Sequence, residues 1–218
     1  PGGGQKLGVL AFSSFRMSDV ADFLALMSLP ASQIANVSEV AVNGGAPLGT
    51  GQSDVLLAIE IGLIAAPGAE IVVYDAPFST SSASFQALFN RMINDGVTVI
   101  TNSWNYCEDQ TTAADAQSVD SILAAAAAAG ITVLNATGDD GGACNDGSPN
   151  TIAVPADSPN ATAVGGSSPD VGPAFTYLGE TWWDGSTHLP PDGQGGFGVS
   201  RFFARPSYQN SLIGAATR

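Results

Sequence analysis

Basic residues are scarce in this chain. Its 218 residues include only six Lys and Arg against twenty Asp and Glu, a formal net charge of −14. Nucleic acid is excluded as a natural partner, because phosphate contacts need clustered cations. Charged residues of both signs make up 12% of the chain, about half the usual ~25%. The acidity fits plain solubility, or a protein that works in acid, where many carboxylates are protonated. There are two cysteines, Cys107 and Cys144, too few for a disulfide scaffold or a four-cysteine zinc site. No apolar run reaches the ~18–20 residues of a membrane span, and no targeting segment is visible.

A single histidine, His188, stands in the loop-like Ser-Thr-His-Leu-Pro-Pro with no evident carboxylate partner. It reads as a surface residue, which leaves a Ser-His-Asp triad without a base. Gly-x-Ser-x-Gly, a Walker loop and Gly-x-Gly-x-x-Gly between strand and helix are all missing. Asp139, Asp140, Asn145 and Asp146 cluster, but not at EF-hand spacing, so no metal site is expected.

What remains is rich in apolar residues, 44% of the chain, with a mean hydropathy of +0.18. A globule of this length buries roughly 70% of its unfolded surface. Apolar runs predict strands at Lys6–Phe12, Glu39–Val42, Glu70–Asp75, Val97–Asn102, Ile131–Ala136, Thr151–Val154 and Ala161–Gly165. Helices are expected near Ser18–Ser28, Ser53–Ala66, Ser82–Asp95 and Thr112–Ala129. Strands apolar on both faces, alternating with helices, point to an α/β fold with one parallel sheet from Lys6 to Gly165 and helices on both faces. No linker is visible, so residues 1–218 read as one domain. From Asp170 onward, the Gly/Pro-rich and aromatic tail reads as surface loops and hairpins.

In such sheets, ligands collect beyond the carboxyl ends of the strands. That rule selects Ser103-Trp104-Asn105, Asp139-Asp140-Gly141-Gly142 and the glycine-rich stretch Gly193–Gly198. The helix near Ser53–Ala66 is apolar almost all round and is therefore expected to be buried. Asp54 and Ala58 share one of its faces. Glu60 lies among Ile59, Ile61 and Leu63, where a lone carboxylate is costly unless paired or protonated.

Several segments, in order, resemble the sedolisins, the serine-carboxyl peptidases. They are Ile59-Glu60 through Ala66-Pro67-Gly68-Ala69, then Glu70–Pro77, Asn102-Ser103-Trp104, Gly130–Gly141 and Val154–Gly166. Glu180-Thr181-Trp182-Trp183-Asp184 and Gly195–Tyr208 complete the series. The resemblance implies a subtilisin-like fold and a chemistry in which a glutamate held by an aspartate replaces the histidine base. A carboxylate accepts the serine proton at a pH where histidine is already charged. It also implies an aspartic acid at the oxyanion site, which matches Asp139; protonated, such a group donates a hydrogen bond to developing negative charge. Trp104 matches the substrate-cleft tryptophan, flanked by Ser103 and Asn105.

The departures concern the base. Asp54 stands where the family has its catalytic Glu, Ala58 where it has the orienting Asp, and Ala11 where a member has a further supporting Glu. Gly-Thr-Ser ahead of a Pro, the nucleophile motif, occurs nowhere in these residues. It and the family's calcium loop are expected downstream of Arg218, so the fold is expected to stop before the nucleophile-bearing region, with no cofactor in this chain. The expected function is therefore a serine-type endopeptidase domain, inactive by itself and acting on peptides or unfolded proteins. The alternative is a pseudo-peptidase that serves as a binding module. Expected partners are a substrate, a propeptide or the missing C-terminal part. Cys107 and Cys144 follow strand ends expected to be neighbours, and the resemblance implies cysteines in these two loops. A disulfide and export to an oxidising compartment are expected.

Overall fold

The computed structural model describes residues 1–79, 82–188 and 192–211. Residues 212–218, the end of the domain expected over 1–218, lie outside the described residues. The strands are β1 Lys6–Ala11, β2 Val37–Ala41, β3 Glu70–Asp75, β4 Val99–Asn102, β5 Tyr106–Cys107, β6 Thr132–Ala136, β7 Ala153–Val154, β8 Thr162–Val164, β9 Ser167–Val171 and β10 Tyr177–Trp182. The helices are α1 Met17–Leu26, α2 Gln52–Ala65, α3 Ala83–Asn94 and α4 Ala113–Ala128.

Six strands form one mostly parallel sheet in the order β2-β3-β1-β4-β6-β8. β1 is flanked in parallel by β3, with Ala11 opposite Asp75, and by β4, with Leu10 opposite Asn102. This is the expected subtilisin-like α/β sheet. Its strands are apolar on both sides because both sides are covered. Val9 and Ala11 of β1 and Ile71 and Val73 of β3 pack with Val20 and Leu24 of α1 and Val55, Ile59 and Leu63 of α2. On the opposite side, a Cβ built on Gly8 meets Met92 of α3 at 3.4 Å. Phe85, Leu88, Phe89 and Met92 make the buried stripe of α3, at the three- and four-residue spacing of an amphipathic helix.

Two expectations need correction. Thr151–Val154 does not join the parallel sheet: Ala153 and Val154 pair antiparallel with Cys107 and Tyr106 in a separate ribbon. The apolar run is buried there against its short partner, and periodicity alone could not distinguish these two environments. Nor is α2 buried all round. Val55, Ile59, Gly62 and Leu63 are buried, whereas Leu57, Ile61 and Ile64 are exposed. The helix rests one face on the sheet, and its apolar composition exceeds what that face needs. The tail does contain a hairpin, with β9 and β10 pairing antiparallel.

By its internal contacts the chain divides into two compact units. One comprises Pro1–Trp104 and Ser121–Leu134, the other Asn105–Asp120 and Asn135–Arg218.

Candidate active site

In the first unit, the candidate residues gather where β1 and β4 end and α2 begins. Asn102, the last residue of β4, is buried. Its side chain donates to the Trp104 carbonyl at 2.9 Å and accepts from the Trp104 N–H at 3.0 Å. This two-point clamp fixes the turn that presents Ser103 and Trp104. The Trp104 ring meets Phe12 edge-on, centroids 5.5 Å apart. It also lies over Gly51 at the start of α2, where a Cβ would come within 2.3 Å of the indole. Glycine is required at that point by close approach rather than by dihedral freedom. The tryptophan therefore abuts the first turn of the helix that carries Asp54.

Asp54 is exposed, near the amino end of α2, where a helix favours negative charge. Ala58, one turn on, packs against the apolar cluster beneath α2, and Ala11 is itself a fully buried member of that cluster. At these two positions, where the resemblance puts an Asp and a Glu, this chain has a methyl group against the apolar cluster. Glu60 is partly buried, and desolvation raises its pKa. Asp75, opposite Ala11 in the sheet, is 2% exposed. Burial raises its pKa, partly opposed by a hydrogen bond from the Ala46 N–H.

In the second unit, Asp139 stands exposed in the turn after β6. Gly138 and Gly141 have φ of 98° and 63°, left-handed values that glycine adopts without strain. The glycine-rich stretch is hydrogen-bonded onto this turn: the Gln194 N–H donates to the Asp139 carbonyl at 2.7 Å. The Gly196 N–H donates to Gly138 at 2.9 Å and the Phe197 N–H to Gly141 at 3.0 Å. A Cβ on Gly196 would lie 2.1 Å from the Thr137 carbonyl oxygen, so that glycine is dictated by contact. The Asn105 carboxamide accepts from Asn145 at 3.1 Å and approaches Gly138. Cys107 and Cys144 form a disulfide, Cα atoms 5.9 Å apart, joining the loop after β4 to the loop after Asp139.

The structure thus brings Trp104 to the start of α2, and Asn105 and Asp139 to neighbouring turns. His188 does have a carboxylate neighbour, Asp192, at 2.9 Å, both side chains about half exposed. Among the described residues, Cys107, Asp109 and Asp146 are the one acidic-thiol grouping of metal-site dimensions, and the disulfide consumes its sulfur.

Sequence reasoning missed a buried acidic pair in the second unit. Glu108 is fully buried, accepting from the Ser200 hydroxyl and, at 2.9 Å, from the Arg201 N–H. Asp157 faces it. Burial first, then the charge of Glu108 and their mutual hydrogen bond, push Asp157 up to about 8. A second carboxyl nearby disfavours ionisation of the first. No motif announces a pair so far apart in the chain.

The subtilase family pattern matches residues 39–193. The chain belongs to the subtilase family. Within it, the resemblance is to the sedolisins. Kumamolisin of Bacillus sp. strain MN-32 is 32% identical over 95% of this chain. Sedolisin of Pseudomonas sp. strain 101 is 34% identical over 68% of it. The chain spans 38% of the length of the first and 27% of the second. A solved Pseudomonas sedolisin, a serine-carboxyl proteinase complexed with two molecules of pseudo-iodotyrostatin, superposes with a TM-score of 0.81 at 25% identity, over 96% of this chain and 61% of that one. A lanthipeptide protease shares the fold at a TM-score of 0.54 and 17% identity.

Proposed function

We propose that this subtilase-family chain is part of one sedolisin-type serine-carboxyl peptidase domain whose substrates are peptides or unfolded proteins. Asp139 is the oxyanion donor, Asp54 occupies the place of the base, and Ser103, Trp104 and Asn105 line the substrate path. The observation that carries this reading is the Asp139 turn, held open by two left-handed glycines and braced by the 193–198 stretch. A protonated carboxyl presented there can donate to a developing oxyanion. The disulfide suits an extracytoplasmic protein. A propeptide or further segments of the same protein are the natural partners, and a calcium site belongs to such segments rather than to these residues.

By itself the chain is inert in this reading. Ala58 cannot orient Asp54, and no serine stands in Gly-Thr-Ser context. Losing the nucleophile from such a unit costs about 10⁶-fold in turnover. Ala58, packed partly buried against the apolar cluster, and Ala11, buried within it, support a second reading, a pseudo-peptidase that binds without cutting. The intact mass of the mature protein from its native source separates the two readings. A species heavier than 21.9 kDa whose continuation contains Gly-Thr-Ser supports the peptidase. A mature protein without that motif supports the binding module.

A further inference from the structure

Trp182 and Phe197 pack edge to face with ring centroids 5.5 Å apart, yet they remain 44% and 58% exposed. Surface apolar residues scattered singly need no explanation, whereas two packed rings offer one contiguous apolar face, and aromatic side chains dominate the energetics of interfaces. Both rings are held from below. Trp182 ends β10, and its indole N–H donates to the Gly195 carbonyl at 3.0 Å. Phe197 hangs from the Gly141 carbonyl by its own N–H, and its ring lies 3.2 Å from where a Cβ on Gly142 would be. The backbone bonds that fix Phe197 are those that brace the Asp139 turn, so the aromatic surface and Asp139 belong to one rigid substructure. Asp184, two residues beyond Trp182, and Asp139 and Asp140, just before Gly141, are exposed, and Gln194 joins the two segments by donating to the Asp184 carboxylate at 3.0 Å and accepting from the Gly141 N–H at 3.2 Å.

We infer that Trp182 and Phe197 form a specificity-determining subsite that takes a bulky apolar side chain of an extended peptide and rejects an acidic one. The inference rests on the proposed peptide-binding reading and adds the side-chain class. The occupant follows from two features. Rigid aromatic faces gain most from covering another apolar or aromatic side chain. The surrounding negative charge repels Glu and Asp and tolerates Lys or Arg, whose cations also favour aromatic faces. Sharing one substructure with the Asp139 turn, the subsite takes its occupant from a peptide that passes Asp139.

The test is calorimetric titration of the intact chain with capped hexapeptides of Ala and Ser, in which one Phe, Leu, Lys or Glu is walked through every position. At one position Phe is expected to tighten binding about tenfold over Ala, while Glu weakens it. Phe197→Ser is expected to erase the Phe preference and Phe197→Leu to retain most of it. Phe175→Ser, which removes a 91% exposed ring on the β9–β10 turn, should leave it unchanged. A Phe preference that survives in folded Phe197→Ser overturns the inference, as does peptide binding indifferent to the side chain. Absence of any peptide binding overturns the peptide-binding reading together with it. If the serine variant does not fold, amide and indole shift mapping of the unaltered chain decides. Phe-dependent shifts at Trp182 and Gly142 support the subsite, and shifts confined elsewhere overturn it.

Discussion

Replacing Asp157 with Asn should change how the stability of this chain depends on pH. In the folded chain the Asp157 carboxyl is raised from 3.8 to about 8, by burial first and by Glu108 second. Between those values the folded chain holds a proton that the unfolded chain has released. Folded-state proton uptake means that stability is greatest below about pH 4 for this group, declines as pH rises, and levels off above about 8. At ~1.4 kcal/mol per pH step, the loss is on the order of 5 kcal/mol. That is a large share of the ~5–15 kcal/mol typical of a domain. The carboxamide introduced by Asp157→Asn is neutral at every pH and can still donate to Glu108, so the variant lacks this decline. Urea unfolding of both proteins at pH 4, 6 and 8 measures it. The stability of Asp157→Asn relative to the parent should climb by several kcal/mol from pH 4 to pH 8. A difference that stays constant across the range would show that Asp157 ionises normally in the folded chain.

Other expectations follow from single contacts. Replacing Cys107 and Cys144 together with Ser opens a link across 37 positions, and chain entropy puts the destabilisation at ~3–4 kcal/mol, readable as a lowered urea midpoint. Gly51→Ala drives a methyl into the Trp104 indole at 2.3 Å; it should cost ~1–3 kcal/mol and shift tryptophan emission, whereas an unchanged spectrum would place Trp104 away from α2. Asn102→Leu removes both bonds that hold the Trp104 turn and should cost ~1–3 kcal/mol per unpaired buried group, again by urea unfolding.

The sheet was legible because its strands are continuous apolar runs, from Ile71–Tyr74 to Val99–Ile100, separated by helices of the right length. The β5–β7 ribbon was not, because two residues on each side carry no period and their pairing is set by distant sequence. The exposure of Leu57, Ile61 and Ile64 was hidden for a related reason: composition says how apolar a helix is, not how many neighbours it finds. At the candidate site, Asp139 and Trp104 were visible from motifs that follow strand ends. Glu108 and Asp157 were not, since a buried carboxyl pair is created by tertiary contact alone. The same holds for Trp182 and Phe197, whose meeting depends on the 193–198 stretch folding back onto the turn after β6.

The most direct measurement is incubation of the purified chain with an unfolded protein at pH 4 and at pH 7, followed by mass spectrometry over hours. Missing an oriented base and a nucleophile in family context, the chain should leave the substrate intact at both values. Residual acceleration from oxyanion and binding groups, roughly 10³-fold over water, remains far below the ~10 s⁻¹ of a typical enzyme. Rapid cleavage that disappears in Asp139→Ala would contradict this and show that these residues assemble a working centre of their own.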